Sequence, residues 1–223
     1  MKVTLSAVSY PQNIDGIETA EDFIAYCARV SNPSNQANNQ TSAGLIRYLI
    51  KNKHWSPLEM VSMTIEIETT RDIGRQILRH RSFSYQEFSQ RYAEVHKMGD
   101  MFSFREARLQ DDKNRQNSIR VDDEALQAWW LREQRSLAMR AADIYSEALA
   151  RGIAKEQARV VLPEGLTNTR MYMSGTLRSW VHYCELRCGN GTQLEHMEVA
   201  QAVYNLMKTE FPNIVRAIDE SNS

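Results

Sequence analysis

Between residues 61 and 68 the chain alternates Val61, Met63, Ile65 and Ile67 with Ser62, Thr64, Glu66 and Glu68. A period of two sends successive side chains to opposite sides of a pleated strand, so this stretch predicts a strand with one core face and one polar face. Val3, Leu5 and Ala7 alternate with polar partners in the same way, which predicts a half-buried strand over residues 2 to 9. Further strands are expected around Met101 to Phe104 and over residues 169 to 174.

Helical spacing takes over elsewhere. From Thr19 the apolar residues Phe23, Ile24, Cys27 and Ala28 form a stripe, with Thr19 and Asp22 placed as a capping box and Ser31, Asn32 and Pro33 as the stop. Ser42 is expected to cap a second helix carrying Leu45, Ile46, Leu49 and Ile50 and ending near Lys53. Arg71 to His80 reads as a helix with Ile73 and Ile77 inward and with Gln76, Arg79 and His80 sharing one face. Residues 123 to 151 read as one long helix bearing Leu126, Trp129, Trp130, Leu137, Ala141, Ile144 and Ala148, with Gly152 just past its end. Its Trp pair is expected to be core or subunit-interface packing rather than a ligand platform.

A short helix carries Glu156, Gln157 and Arg159 to Val161, and another spans Thr176 to Arg187. Thr192 and Glu195 have capping-box spacing at the start of a last helix that stops before Phe211 and Pro212. The polar stretches 32 to 42, 81 to 92 and 107 to 118 read as loops. No repeat or composition shift marks a second domain. These elements predict an α+β protein, residues 1 to 223 forming a single domain, with a mainly antiparallel sheet packed with helices.

Composition narrows the setting. The chain has 223 residues, 42% hydrophobic and 25% charged, enough to bury a core without disulfides. Its net charge of -1 argues against a generic nucleic-acid or membrane surface, so an anionic partner should be small and met locally. The N-terminal MKVTLSAVSY has neither the basic start nor the apolar run of a signal peptide, and no segment is long and apolar enough to span a membrane, so a cytoplasmic protein is expected. Cys27, Cys184 and Cys188 form no CxxC pair, which suits reduced thiols in buried packing. The histidines His54, His80, His96, His182 and His196 show no zinc spacing, and neither GxGxxG nor GxxxxGK[ST] occurs.

The densest chemistry lies in RHRSFSYQEFSQRY, residues 79 to 92, where Arg79, His80, Arg81 and Arg91 stand beside Gln86, Glu87, Ser89 and Gln90. Guanidinium groups keep their charge and carry donors in a fixed fork, so such a cluster suits a shared phosphate or carboxylate. A solvated basic turn paired with nearby acids explains the same residues, and composition alone leaves both readings open.

The pattern Arg79, His80, Arg81, then Ser89, with Glu87, Arg91 and Tyr92 at matching places, resembles the signature of the flavin-dependent thymidylate synthases. The resemblance extends from about Ala28 to about Ala202. It implies FAD as cofactor, NADPH and methylenetetrahydrofolate as cosubstrates, and reductive methylation of dUMP without an enzyme nucleophile. It also implies a homotetramer with its sites at subunit interfaces. The dUMP site it implies comprises Gln76, Arg79, Glu87, Phe88, Ser89, Gln90, Arg91, Arg159 and Arg187. Flavin contacts are implied for Ser31, Ser56, Glu59, Arg79, His80, Arg81, Thr176, Leu177, Arg178 and His182.

By the same resemblance Arg187 ionises the uracil N3, since a fixed guanidinium beside an imide favours its anion. His54 becomes a candidate for the folate or electron-transfer step, and Ser89 takes a place at the reacting nucleotide. No histidine or lysine is placed by sequence to deprotonate Ser89, which argues against a covalent serine. The chain departs from the pattern at Thr176, where the family often has Asn, and at Gly191, where it often has His. A non-catalytic nucleotide or RNA-binding module, or a different flavoenzyme on this scaffold, are the competing readings.

Overall fold

The alternating stretch at Ser62–Thr70 is the spine of a four-stranded sheet in the computed structural model, which describes residues 1–221. In chain order the strands are β1 (Lys2–Val8), β2 (Ser62–Thr70), β3 (Ser84–Glu87), β4 (Arg108–Gln110), β5 (Ser118–Arg120) and β6 (Asn168–Thr176). The helices are α1 (Ala20–Ala28), α2 (Ser42–Lys51), α3 (Arg71–Ile77), α4 (Glu124–Ala150), α5 (Lys155–Ala158), α6 (Leu177–Arg187), α7 (Leu194–Glu210) and α8 (Pro212–Ser221). The sheet runs β1-β2-β6-β3 with every pairing antiparallel, and β4 and β5 form a separate hairpin. The α+β class with a mainly antiparallel sheet and one long helix therefore holds.

Alternation decides which sheet face is buried. Met63, Ile65 and Ile67 of β2 and Met171 and Met173 of β6 are fully buried together with Ile24, Ile46, Trp180, Val203 and Ile214 from the helices. On the opposite face the same strands carry a polar ladder, in which Arg170 bonds Glu68 at 2.8 Å and the Tyr172 hydroxyl bonds Glu66 at 2.6 Å. A one-residue slip would exchange these two sets, so the register is strongly specified.

Several expectations are corrected. Helix α3 stops at Ile77 rather than His80, and Leu78, Arg79 and His80 continue as a tight turn whose N–H groups bond Gly74, Gln76 and Ile77 carbonyls. The loop expected over 81 to 92 contains β3, because Tyr85 and Glu87 align with Met173 and Met171 of β6. Its polar composition concealed that pairing. The strand expected at Met101 to Phe104 reduces to one bridge between Phe102 and Thr167. The loop expected at 107 to 118 contains β4 and the start of β5, two strands too short and too exposed for periodicity to reveal.

Capping also differs at two helices. Ser42 is the first residue of α2 rather than its cap, and Gln193 rather than Thr192 precedes α7 without a side-chain cap. Glu195 is drawn instead to Arg105 and Arg108, a stronger charge-assisted partnership. Thr19 caps α1 as expected, its Oγ1 accepting from the Asp22 N–H at 3.0 Å. Helix α8 was not anticipated. Pro212 starts it, and buried Glu21 of α1 accepts from the Ile214 N–H at 2.8 Å and from the Asn213 side chain at 2.7 Å.

Helix α4 overturns the core option for its tryptophans. Its buried residues are Gln134, Ala138, Ala141 and Tyr145, whereas Trp129 is 47% and Trp130 39% exposed. Among the described residues no helix is long and apolar enough to cross a membrane.

Candidate active site

Strand β2 hands directly into α3, and the spacing of that short helix arranges the first cation group. Arg71 and Arg75 stand one turn apart and reach Glu87 of β3, at 3.6 Å and 3.2 Å. Glu87 also accepts from Thr169 at 2.9 Å, which fixes its carboxylate on the sheet. Gly74 lets the helix approach β6 closely, since a Cβ there would stand 3.1 Å from the Met171 side chain.

Arg159, at the end of α5, completes the wall. Together with Arg71, Arg75, Gln90, Val160 and Leu162 it lines a cavity of about 470 Å³, to which Glu156 and Glu164 add carboxylates. Arg75 bonds Glu164 at 2.9 Å, and Arg91 approaches Glu156 at 4.0 Å. Gln90 is buried, and its Nε2 donor has no hydrogen-bond partner. An orphaned donor beside three guanidinium groups suits an oxygen-rich anion, because a buried N–H left unsatisfied carries a desolvation cost.

A second group gathers at the end of α6. Arg187 donates its Nε–H to His80 Nε2 at 3.0 Å. The His80 ring lies edge-on to Tyr183, with centroids 4.9 Å apart, and its centroid is 6.1 Å from that of His196. Burial, then the nearby Arg187 and Arg79 charges, push the His80 pKa down to about 4, so the ring is neutral and accepts. Fully buried His196 is pushed to about 3 by burial, Arg187 and His80. Gln76 joins this group through His196 at 3.3 Å and Gln193 at 2.7 Å.

The third group lies where the turn at Ser56–Met60 meets α6. Glu59 is ion-paired with Arg178, and the Trp55 and His182 rings meet edge to face at 4.7 Å. Thr176 caps α6, its Oγ1 facing the Ser179 N–H at 3.5 Å, and Leu177 is buried. Ser56 is exposed. Gly191 has a φ of +94°, which side-chain-bearing residues rarely adopt, so a histidine there would be strained.

The remaining candidates are dispersed. His54 is exposed and packs edge-on against Tyr48 at 5.9 Å, and Ser31 is exposed in the turn after α1. Arg79 and Arg81 are exposed and make no ion pair among the described residues. The Phe88 N–H bonds the Arg170 carbonyl, while the Ser89 carbonyl accepts from Tyr92 and Ala93. Among the described residues no direct hydrogen bond or ion pair links the Arg159 cavity to Arg187. The residues missed from sequence are Arg71, Arg75, Tyr183, Gln193, Glu195 and His196. For the first two a signal existed: Arg71, Arg75 and Arg79 recur every four residues, the spacing of one helical face.

Fold and site together define an α+β protein with a cavity walled by guanidinium groups and a neutral histidine behind a further arginine. The chain matches the family described as "Thymidylate synthase complementing protein" over residues 14–213, and it belongs to that family. It is 50% identical over 219 residues to the "Probable flavin-dependent thymidylate synthase" of Paramecium bursaria Chlorella virus 1, covering 98% of this chain and 99% of the relative. Its identity to the "Flavin-dependent thymidylate synthase" of Synechocystis sp. is 48% over 199 residues, 89% of each chain. A solved structure, the UMP/dUMP methylase PolB from Streptomyces cacaoi bound with 5-Br dUMP, superposes with a TM-score of 0.83 at 26% identity, covering 98% of this chain and 94% of PolB.

Proposed function

We propose that the chain methylates dUMP to dTMP, with methylenetetrahydrofolate as carbon donor, NADPH as reductant and FAD as cofactor, and without an enzyme nucleophile. The observation that carries this reading is the cavity of Arg71, Arg75 and Arg159, with the buried, partnerless Nε2 of Gln90 on its wall, in a member of this family. Fixed cations and an unspent donor are what a nucleotide phosphate requires. Arg159 and Arg91 bind dUMP here, with Glu87, Phe88, Ser89 and Gln90 from β3 and the segment after it. Gln76, Arg79 and Arg187 reach the same nucleotide.

Arg187 acts on the base. Its guanidinium stabilises the anion formed when N3 loses a proton, and that charge delocalises toward C5, the carbon that must attack. With its Nε–H committed to His80, the group is held in one orientation and keeps its Nη donors for the base. Ser89 has no basic group on its hydroxyl among the described residues, which fits a route without a covalent serine.

The donor set fits FAD. Arg79 and Arg81 supply exposed cations for a diphosphate, and Ser31, Ser56, His80, Thr176, Leu177 and His182 are assigned to the same proposed site. Glu59 and Arg178 belong to it as an ion pair. Reduced FAD supplies the hydride when bound. His54 is assigned to the folate or electron-transfer step.

The assembly we propose is a homotetramer with each site shared between subunits, in a cytoplasmic protein. Exposure of Trp129, Trp130, Leu137 and Ile144 along α4 supports burial against another copy. Purified protein should show a flavin absorption band and retain it only as an oligomer. A monomer holding stoichiometric flavin contradicts the shared site, and colourless protein that still binds dUMP favours the non-catalytic module.

A further inference from the structure

Behind the nucleotide-facing residues runs a chain of hydrogen bonds whose direction can be deduced from its charged end. Glu195 is ion-paired with Arg105 at 3.7 Å and with Arg108, so its carboxylate only accepts. Gln193 must therefore turn its amide nitrogen to Glu195, and the two groups stand 2.9 Å apart. That leaves the Gln193 oxygen to accept from Gln76 Nε2 at 2.7 Å. The Gln76 oxygen then faces His196 Nδ1 at 3.3 Å, so Nδ1 carries the proton. His196 Nε2 is left to accept from the Tyr183 hydroxyl at 3.2 Å. Every donor in the series meets an acceptor, and one reversed amide would place two like groups face to face.

The order has a consequence for Gln76 of α3, which is half-buried. Its amide cannot flip without breaking bonds to both neighbours. We propose that His196 is a positioning residue of the nucleotide site: by donating from Nδ1 to Gln76 it fixes that amide, with one Nε2–H left for an acceptor oxygen of the bound nucleotide. The inference rests on the reading that Gln76 contacts dUMP. His196 itself touches no substrate, since it is fully buried between Gln76 and Tyr183. Preorganising one donor in this way removes the cost of ordering it when ligand arrives.

Flavin-loaded wild type, His196→Asn and His196→Phe provide the test, with dUMP KM and kcat measured separately. Asparagine keeps an N–H donor at the place of Nδ1, whereas phenylalanine keeps the ring and removes the donor. His196→Phe should raise the dUMP KM by about tenfold, as expected for one misplaced hydrogen bond, with NADPH-driven flavin reduction unchanged, and His196→Asn should restore most of the loss. Nitrogen-15 NMR of histidine-labelled wild type gives a readout independent of any variant's folding, and should show the neutral Nδ1–H tautomer for His196. A folded phenylalanine variant with wild-type dUMP KM, or a ring protonated at Nε2, overturns the proposal. Wild-type enzyme that neither binds nor methylates dUMP overturns instead the reading on which it rests, an outcome distinct from intact turnover with an indifferent His196→Phe.

Discussion

Arg187 and His80 come from elements separated by more than a hundred residues, yet the Arg187 Nε–H points at His80 Nε2 across 3.0 Å. A histidine normally repels an arginine when protonated; here burial keeps it neutral and turns it into an acceptor that aims the guanidinium. Arg187→Ala should therefore lower kcat by about 10²- to 10³-fold, the usual loss when one preorganised charge-stabilising donor is removed. Flavin absorbance per protein should stay at the wild-type value. Arg187→Lys should not recover the rate, because an ammonium cannot both bond His80 and present a planar fork. Unchanged turnover in Arg187→Ala removes the residue from the mechanism.

The two buried histidines set an acid limit on stability. Their pKa values are about 4 for His80 and about 3 for His196, against about 6.5 in an unfolded chain. Between those values the unfolded state binds protons that the folded state does not, so stability is complete above pH 6.5 and falls as pH drops toward 4. The slope reaches about 1.4 kcal/mol per pH unit per histidine, with fully buried His196 contributing more than half-buried His80. Urea unfolding between pH 7 and pH 4.5 should show a shallower decline in His196→Asn than in wild type. Parallel declines contradict the assignment.

Nucleotide affinity should depend on the wall of the anion cavity. Arg159→Ala removes one of its three guanidinium groups and should weaken dUMP binding by roughly 10- to 100-fold, the range for a charge-assisted hydrogen bond. Calorimetric titration with dUMP measures this directly. Wild-type affinity in the variant places the phosphate elsewhere.

Gly175 on β6 lies under the Phe83 ring, and an added Cβ would overlap it. Phe83 in turn packs edge to face on Trp180, with centroids 4.6 Å apart, next to the His80 group. Gly175→Ala should cost about 1–3 kcal/mol in unfolding free energy, as overpacked cores do. Adding Phe83→Leu should recover part of that loss, because the two sites share one volume. Additive losses in the double variant would show that the strain lies elsewhere.

Much of this architecture was legible from periodicity. The alternation of Met63, Ile65 and Ile67 located the central strand, and Thr19 with Asp22 located the start of α1, because both signals are local. Strand β3 was hidden because Ser84, Gln86 and Glu87 are polar and their pairing with β6 joins segments far apart in the chain. In the site, Arg79, Arg91, Arg159 and Arg187 stood out through the family resemblance of the segments that carry them. Their supports did not: His196 and Tyr183 carry no local signal, and only the fold brings His196 to Gln76 and Tyr183 to His196. Glu195 looked like a capping residue because sequence carries no sign of Arg105 and Arg108 arriving from before α4.

The central claim concerns C5 of the uracil ring, and tritium release from C5-labelled dUMP reads that carbon directly. Flavin-loaded enzyme supplied with methylenetetrahydrofolate and NADPH should release tritium in step with dTMP formation, and flavin-loaded Arg187→Ala should release almost none. Absence of release from the flavin-loaded wild-type enzyme, or equal release from the variant, contradicts the account.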